Sequence, residues 1–167
     1  MKVQVRKADL NDIDSLIEFT VKEAKEAEGL YKVPDTLRTG ITAALNDCLK
    51  ATYWVIVDEN NKPFGNVSAL KEWSDWNAGY YWWIQSMFIS PEFRGKGYLK
   101  LLMNAVKAEM ERENGLELRL YVHKNNKVAI RAYEKVGFEI SDYDVMIIKN
   151  SLTNRSTGRA GARAGEL

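Results

Sequence analysis

Alternating apolar and polar residues are typical of a strand with one buried face, and short bounded apolar runs are typical of a fully buried strand. Segments of both kinds recur along this chain and are separated by polar turns such as residues 59–62. They predict seven strands, at residues 3–7, 53–58, 64–72, 80–89, 116–122, 138–140 and 144–148. The last two are short and close together, which indicates a closing hairpin.

Apolar residues spaced three and four positions apart predict four helices, at residues 13–24, 34–49, 98–113 and 126–136. Pro34 suits the first turn of the second helix, and Gly137 suits the end of the fourth. The second helix would carry Cys48 on its apolar side, as a buried thiol. Together these elements give a mixed α/β order in which strands outnumber helices.

Composition is typical of a single globular domain. The 167 residues are 46% hydrophobic and 28% charged, and the formal net charge of +1 argues against a nucleic-acid partner. No apolar run approaches the ~20 residues of a membrane span, and the first residues lack a secretion signal, so we expect a cytoplasmic protein without membrane contact. One cysteine excludes an internal disulfide, and we expect no metal site. Residues 1–149 are predicted to form the domain. Residues 150–167 contain few apolar residues and are predicted to form a disordered tail.

A basic, glycine-bearing turn stands between a predicted strand and a predicted helix. The apolar run of residues 82–89 stops at Pro91, the turn Arg94-Gly95-Lys96-Gly97 follows, and an apolar helical pattern begins at once. Free N–H groups at a helix N-terminus attract anions, and glycines let a phosphate approach the main chain. The turn therefore predicts a site for a phosphorylated ligand, with a plain connecting turn as the alternative. Its spacing is neither that of a Walker loop nor that of the Gly-x-Gly-x-x-Gly dinucleotide turn.

Two segments at a fixed separation carry a resemblance to a known family. The first is the turn at residues 94–99, which fits Arg/Gln-x-x-Gly-x-Gly/Ala except that Leu99 stands at the last position. The second is Asn-x-x-Ala followed by Tyr-Glu-Lys-x-Gly-Phe, matched by Asn126, Ala129, Tyr133, Glu134, Lys135, Gly137 and Phe138. With the order of elements over residues 1–148, they resemble the GNAT superfamily of acetyl-CoA-dependent N-acetyltransferases. The resemblance implies a mixed, mostly antiparallel sheet of six to seven strands, about four helices, and a splayed central strand pair that holds the coenzyme.

The same resemblance implies roles for individual residues. Main-chain groups of Met87 and Ile89 would pair with the amides of the pantetheine arm, and the N–H groups of residues 94–99 would surround the pyrophosphate. Tyr133 would face the sulfur and protonate the departing thiolate. We expect the N–H of Leu99 to remain available while its side chain joins the apolar side of its helix. The implied coenzyme-binding residues are Met87, Phe88, Ile89, Arg94, Gly95, Lys96, Gly97, Tyr98, Leu99, Asn126, Ala129 and Tyr133.

Acetyl transfer by direct attack needs an unprotonated amine, a donor for the carbonyl oxygen and an acid for the thiolate. The phenol of Tyr133 suits the acid role, although a tyrosine at that helix position also suits the core. Many family members carry an acidic residue on the strand before the turn, where this chain has Gln85, which cannot accept a proton. Glu72 is therefore the candidate base, with Asp75 as the alternative. For His123, the one histidine, a surface or structural role is the alternative to a catalytic one.

Six aromatic residues within a short segment mark the predicted acceptor side: Trp73, Trp76, Tyr80, Tyr81, Trp82 and Trp83. Aromatic faces attract ammonium groups, so they favour a small primary amine as acceptor, with packing under helices or a homodimer contact as the alternative. The predicted acceptor contacts are Tyr31, Trp73, Trp83 and Gln85, and Glu23 and Glu26 are expected along the same groove. A protein N-terminal or lysine acetyltransferase is the nearest alternative function, and an inactive acyl-CoA-binding sensor is another.

Overall fold

A five-stranded mixed sheet forms the centre of the structure, a computed structural model that describes residues 2–150. Its strands lie side by side in chain order: β1 Gln4–Lys7, β2 Thr52–Val57, β3 Pro63–Ser74, β4 Gly79–Ile89 and β5 Glu117–Leu120. The first four are antiparallel to their neighbours, and β5 is parallel to β4. The predicted mixed, mostly antiparallel sheet is confirmed.

Four α-helices flank this sheet, as predicted: α1 Ile13–Glu28, α2 Pro34–Leu45, α3 Tyr98–Arg112 and α4 Lys127–Glu134. Two short 3-10 helices, Leu10–Asp12 and Pro91–Phe93, precede α1 and α3. Helix α2 ends at Leu45, earlier than the apolar spacing indicated, and Cys48 lies beyond its last turn. The prediction of a buried thiol is therefore wrong, because Cys48 is exposed.

Two apolar clusters hold the helices on opposite faces of the sheet. Alternate residues of a strand point to opposite faces: Trp54 and Ile56 of β2 join the cluster that contains α3, whereas Val55 and Val57 join the cluster of α1 and α2. Burying each such side chain stabilises the fold by about 1.5–3 kcal/mol. Leu99 packs against the α3 cluster, as predicted for its side chain.

A β-bulge at Gln85 changes the direction of the side chains along β4. Ser86 pairs with Ser68 of β3 and Ile84 with the next residue, so Gln85 has no partner in that register. Before the bulge, Ile84 faces the α3 cluster; after it, Phe88 faces α1 and stacks on Phe19 with ring centroids 5.4 Å apart. The Ser68 and Ser86 hydroxyls are hydrogen bonded at 2.8 Å beside the bulge. The bulge thus turns the last part of β4 toward α1.

Strands β4 and β5 separate beyond the bulge. Their last paired residues are Ile84 and Leu120, so residues 85–89 of β4 have no partner on the β5 side. This is the splayed strand pair that the resemblance implied, and the opening it leaves positions the site described below.

The predicted closing hairpin is not formed. Within the described chain, residues 138–150 contain no strand, so the sheet has five strands rather than six or seven. Several apolar side chains of this segment are exposed, namely Ile140, Val145, Met146, Ile147 and Ile148. The predicted disordered tail at residues 150–167 lies, apart from Asn150, outside the described residues.

Candidate active site

The glycine-rich loop places consecutive main-chain donors at the N-terminus of α3. Gly95 and Gly97 have φ of 75° and 82°, in the left-handed region that glycine adopts without strain. Lys100 N–H is the first of the helix to be paired within the described chain, since it donates to Gly97 O at 3.1 Å. Five preceding N–H groups have no hydrogen-bond acceptor there: those of Gly95, Lys96, Gly97, Tyr98 and Leu99. Such an array, at the positive end of a helix dipole, can bind a diphosphate.

The two cations of this loop are held in fixed positions. Arg94 Nε donates to Ile89 O at 2.8 Å, and Arg94 Nη2 lies 2.7 Å from Glu26 Oε2 on α1. Lys96 Nζ donates to Glu92 O at 3.0 Å. Positive charge is therefore kept beside the unpaired N–H groups, and one of its sources is shared with α1.

The open side of β4 presents main-chain groups at alternate residues, as an unpaired strand edge does. Met87 N–H donates to Glu23 Oε1 at 2.9 Å, and Ile89 O accepts from Arg94. Residues 87 and 89 are the two that the resemblance named for pairing with a pantetheine arm. The structure shows that their polar groups point to the open side and that side chains bind them there.

Glu23 is a partly buried carboxylate on α1, aimed at this strand edge. Burial raises the pKa of Glu23 to about 7, the charge of Glu28 adds to the rise, and the hydrogen bond from Met87 opposes it. The sequence had placed Glu23 only along the acceptor groove. A signal was present, since Leu16, Phe19 and Glu23 follow the spacing of one helix face and the first two are buried.

Tyr133 lies on the short helix α4, whose start is fixed by Asn126. Asn126 Oδ1 accepts from Ala129 N–H at 3.1 Å, and the Tyr133 ring meets Phe138 edge-on at 5.8 Å. Burial raises the pKa of Tyr133 to about 12, with a further contribution from the negative charge of Glu23. The phenol therefore keeps its proton at neutral pH and can donate it, and its charge state is linked to that of Glu23.

A cavity of about 300 Å³ lies between the last turn of α1 and the segment before α4. Its lining is polar and consists of Glu26, Ala27, Glu28, His123, Asn125 and Asn126. Two carboxylates on one wall favour a cationic occupant.

Glu72, the candidate base, lies away from the open edge of β4. It pairs with Tyr81 and lies five residues along β3 from Val67, the partner of Met87, which is a separation of about 16 Å. Its Oε2 accepts a hydrogen bond from Trp83 Nε1. The structure thus brings Glu23, rather than Glu72, to the open edge of β4.

The aromatic segment is divided between two places. Trp73 is 56% exposed and packs edge-on against Tyr80 at the far end of the β3–β4 hairpin. Trp83 stacks on Tyr121 at 4.6 Å, and the guanidinium of Arg119 covers the Tyr81 ring at 3.4 Å. The chain's own cation thus occupies an aromatic face that the sequence had suggested for the acceptor. Of the other two predicted acceptor contacts, Gln85 is exposed at the bulge, and Tyr31 is exposed after α1.

Comparison with known proteins agrees with this geometry. A possible acetyltransferase from Clostridium difficile 630 is 33% identical, with a TM-score of 0.83 over 90% of this chain and 99% of its own. A predicted acetyltransferase from Clostridium acetobutylicum, solved with acetyl-CoA, is 22% identical, with a TM-score of 0.72 over 93% and 100%. A spermidine N(1)-acetyltransferase from Thermoplasma acidophilum is 36% identical over 58 residues, which are 35% of this chain and 36% of that protein. That match therefore spans about a third of either chain.

The fold, the glycine-rich loop and the splayed strands are those of an acyltransferase. The chain belongs to the acetyltransferase (GNAT) family, which it matches over residues 15–138. Enzymes of this family use acetyl-CoA, and the resemblance seen in the sequence is confirmed. Among the described residues, no helix has the length and apolar character needed to cross a membrane.

Proposed function

We propose that this enzyme acetylates a primary amine of a small cationic molecule, by direct attack of that amine in a ternary complex. The observation that carries the proposal is the cavity lined by Glu26 and Glu28, which lie on the same helix as Glu23, the residue that contacts Met87. Its volume of about 300 Å³ suits a small molecule. Carboxylates there would attract an ammonium group and raise its local concentration. The partial match to a spermidine acetyltransferase supports an acceptor of the same chemistry.

Acetyl-CoA supplies the acetyl group as a thioester. In our proposal the N–H groups of residues 95–99 and Arg94 hold its diphosphate, and main-chain groups of Met87 and Ile89 hold the pantetheine arm. Phe88, Asn126 and Ala129 border that arm. Tyr133 protonates the sulfur as it leaves, which its retained proton allows. No covalent bond to the enzyme is required.

We assign the acceptor contacts by their position relative to the cavity and to Met87. Tyr31 comes shortly after the end of α1 that lines the cavity, and Gln85 lies at the bulge, so both remain proposed acceptor contacts. Trp73 is about 20 Å along β3 from Val67, the partner of Met87, and we place it outside the acceptor pocket. Trp83 is engaged by Tyr121 and Glu72, so we assign it a packing role.

An acceptor panel tests the proposal. The enzyme with acetyl-CoA would be offered spermidine, a simple diamine and an aminoglycoside in one arm, and peptides with a free N-terminus or lysine in the other. Release of free thiol reports turnover. We expect kcat/KM to be highest for a small polycation. Turnover of peptides alone would indicate a protein acetyltransferase, and coenzyme binding without any turnover would indicate a sensor; either result contradicts the proposal.

A further inference from the structure

The position of Glu23 is set by the packing of α1 over the splayed part of β4. Phe19, one turn earlier on the same helix face, stacks on Phe88 and fixes the helix above the strand. Glu23 then reaches the strand edge, where its Oε1 accepts from Met87 N–H at 2.9 Å. Within residues 2–150, the Met87 N–H is the group that donates a hydrogen bond to the Glu23 carboxylate. The carboxylate therefore occupies the strand-edge donor proposed above for the coenzyme.

Charged and titratable groups face Glu23 from several elements. Burial raises the pKa of Tyr53 on β2, a hydrogen bond with Ser68 opposes the rise, and the charge of Glu23 adds to it. Burial also raises the pKa of Tyr133 on α4, again with a contribution from the charge of Glu23. Glu28 lies on the same helix, and the Arg94–Glu26 pair lies one turn further along it. Gln85 and Met87 of β4 bring no charge. Glu23 is thus a carboxylate whose charge acts on two phenols, at the strand edge where the coenzyme arm would be held.

We propose that Glu23 is the general base that removes a proton from the acceptor amine. The inference rests on the proposed function and adds to it the one role that the sequence had given to Glu72. A general base must lie within hydrogen-bond reach of the proton it takes, and Glu23 is the carboxylate that contacts the reactive strand edge. The acidic cavity is lined by Glu26 and Glu28, which follow Glu23 on the same helix.

The structure also explains how the base would become available. When Met87 N–H donates to a carbonyl oxygen of the bound coenzyme, Glu23 loses the hydrogen bond that favours its ionised form. Its affinity for a proton rises, and the N–H of the acceptor amine takes the place of Met87 N–H. Coenzyme binding therefore strengthens the base before the acceptor reacts.

The proposed step balances in atoms and charge. The amine nitrogen forms the C–N bond to the acetyl carbon while one N–H proton passes to Glu23. The C–S bond breaks, and Tyr133 protonates the sulfur. Glu23 then returns its proton to the Tyr133 oxygen through water, so an amine and a thioester give an amide and a thiol. Once Glu23 is neutral it no longer raises the pKa of Tyr133, which makes the phenol a better acid as the sulfur departs.

The test compares Glu23→Gln, which keeps size and hydrogen bonding, with Glu18→Gln, which removes an exposed carboxylate from the same helix. With the best amine of the panel, we expect E23Q to lower kcat/KM about 100-fold at pH 7 and to remove the acidic limb of the pH profile. Coenzyme affinity should stay within about threefold, and E18Q should match the wild type. An E23Q enzyme with kcat/KM within threefold and an unchanged acidic limb would overturn the proposal.

A second readout does not depend on turnover. The side-chain carboxyl ¹³C signal of Glu23, assigned by its loss in E23Q, is titrated in the wild-type protein with and without saturating CoA. We expect its midpoint near pH 7 to move upward when CoA binds, and a stationary or lowered midpoint would overturn the proposal. If no amine is acetylated, the proposed function fails, and this titration still decides whether coenzyme binding releases Glu23.

Discussion

Arg94 Nη2 lies 2.7 Å from Glu26 Oε2, so an ion pair ties the glycine-rich loop to the last turns of α1. Both side chains are roughly half exposed, and such a pair contributes at most about 1 kcal/mol. Its importance is functional, because the guanidinium that would meet a diphosphate is shared with a carboxylate that lines the proposed amine cavity. In the proposed function, the two substrate sites would therefore be connected through the Arg94 side chain.

Removing that carboxylate should affect the two substrates in opposite directions. In Glu26→Gln, Arg94 is released toward the diphosphate, and we expect CoA to bind about two- to fivefold more tightly in titration calorimetry at low salt. The KM for a cationic amine should rise, since the cavity loses one negative charge. E18Q serves as the control for charge removal on α1. Unchanged or weaker CoA binding would show that Glu26 does not compete for Arg94.

Diphosphate binding by the glycine-rich loop is tested by a substitution at Gly97. An added Cβ there points into open space, but the φ of 82° strains any L side chain, at a cost of about 1–2 kcal/mol. We expect Gly97→Val to fold, with a lower Tm, and to weaken CoA binding at least about tenfold, because the N–H array shifts.

Gly29 offers a matched control for Gly97. It has a φ of 65°, equally open surroundings and a place outside the loop, at the end of α1. Gly29→Val should carry a similar loss of stability without the loss of CoA affinity. Equal CoA affinity in the two variants would count against diphosphate binding by the loop.

Tyr133→Phe tests the acid. The ring contact with Phe138 survives in this variant, so we expect CoA affinity to be kept and kcat to fall about 100-fold. Because the pKa of Tyr133 is about 12, its ionisation should produce no basic limb below about pH 11. Tyr121→Phe, at an exposed tyrosine stacked on Trp83, is the control and should leave kcat and CoA affinity nearly unchanged. A fully active Y133F would remove the phenol from the mechanism.

The sequence was informative where local chemistry decides the structure. The glycines predicted a turn before a helix, and in the structure Gly95 and Gly97 of that turn have positive φ and α3 follows. The pairing of strands that are distant in the sequence was harder to predict. Residues 144–148 have the composition of a strand but form none in the described chain, because a strand requires a partner edge as well as apolar side chains.

Two features of the site could not be read without the fold. Gln85 carries no local sign of a bulge, yet it reverses which side chains of β4 face α1. Glu23 was expected only along the acceptor groove, although it shares a helix face with Leu16 and Phe19. Its proposed role depends on the separation of β4 and β5, which exposes Met87 N–H. The sequence had indicated Glu72 as the candidate base, whereas the structure places Glu23 at the open edge of β4. The roles of the loop and of Tyr133 stay predictions.

Close packing of the site strand is tested at Gly65. A Cβ at Gly65 would lie 2.7 Å from Phe88 O and 3.1 Å from Ile56 Cγ2, in the interior of the sheet. We expect Gly65→Ala to lower the free energy of unfolding by about 1–3 kcal/mol in urea titrations. Gly40→Ala, in open space on α2, should instead raise it by up to about 1 kcal/mol. Equal stability of the two variants would contradict the close approach of β3 and β4.

The burial of Glu23 should also make the fold less stable as pH rises. The pKa of this acid is about 7 in the folded protein and near 4.5 when unfolded, so the folded state binds more protons between those values. Stability from this group is therefore full below about pH 4.5, declines up to about pH 7 and stays reduced above it, by at most about 3 kcal/mol.

Glu23→Gln removes this dependence. In urea titrations we expect E23Q to exceed the wild type by up to about 3 kcal/mol at pH 8 and to match it near pH 4.5, with E18Q showing no such trend. A variant more stable and less active than the wild type is the result expected when a buried charge is kept for catalysis. If the free energies of unfolding of E23Q and wild type instead differ by the same amount at both pH values, the pKa of Glu23 is not raised by burial in the folded protein.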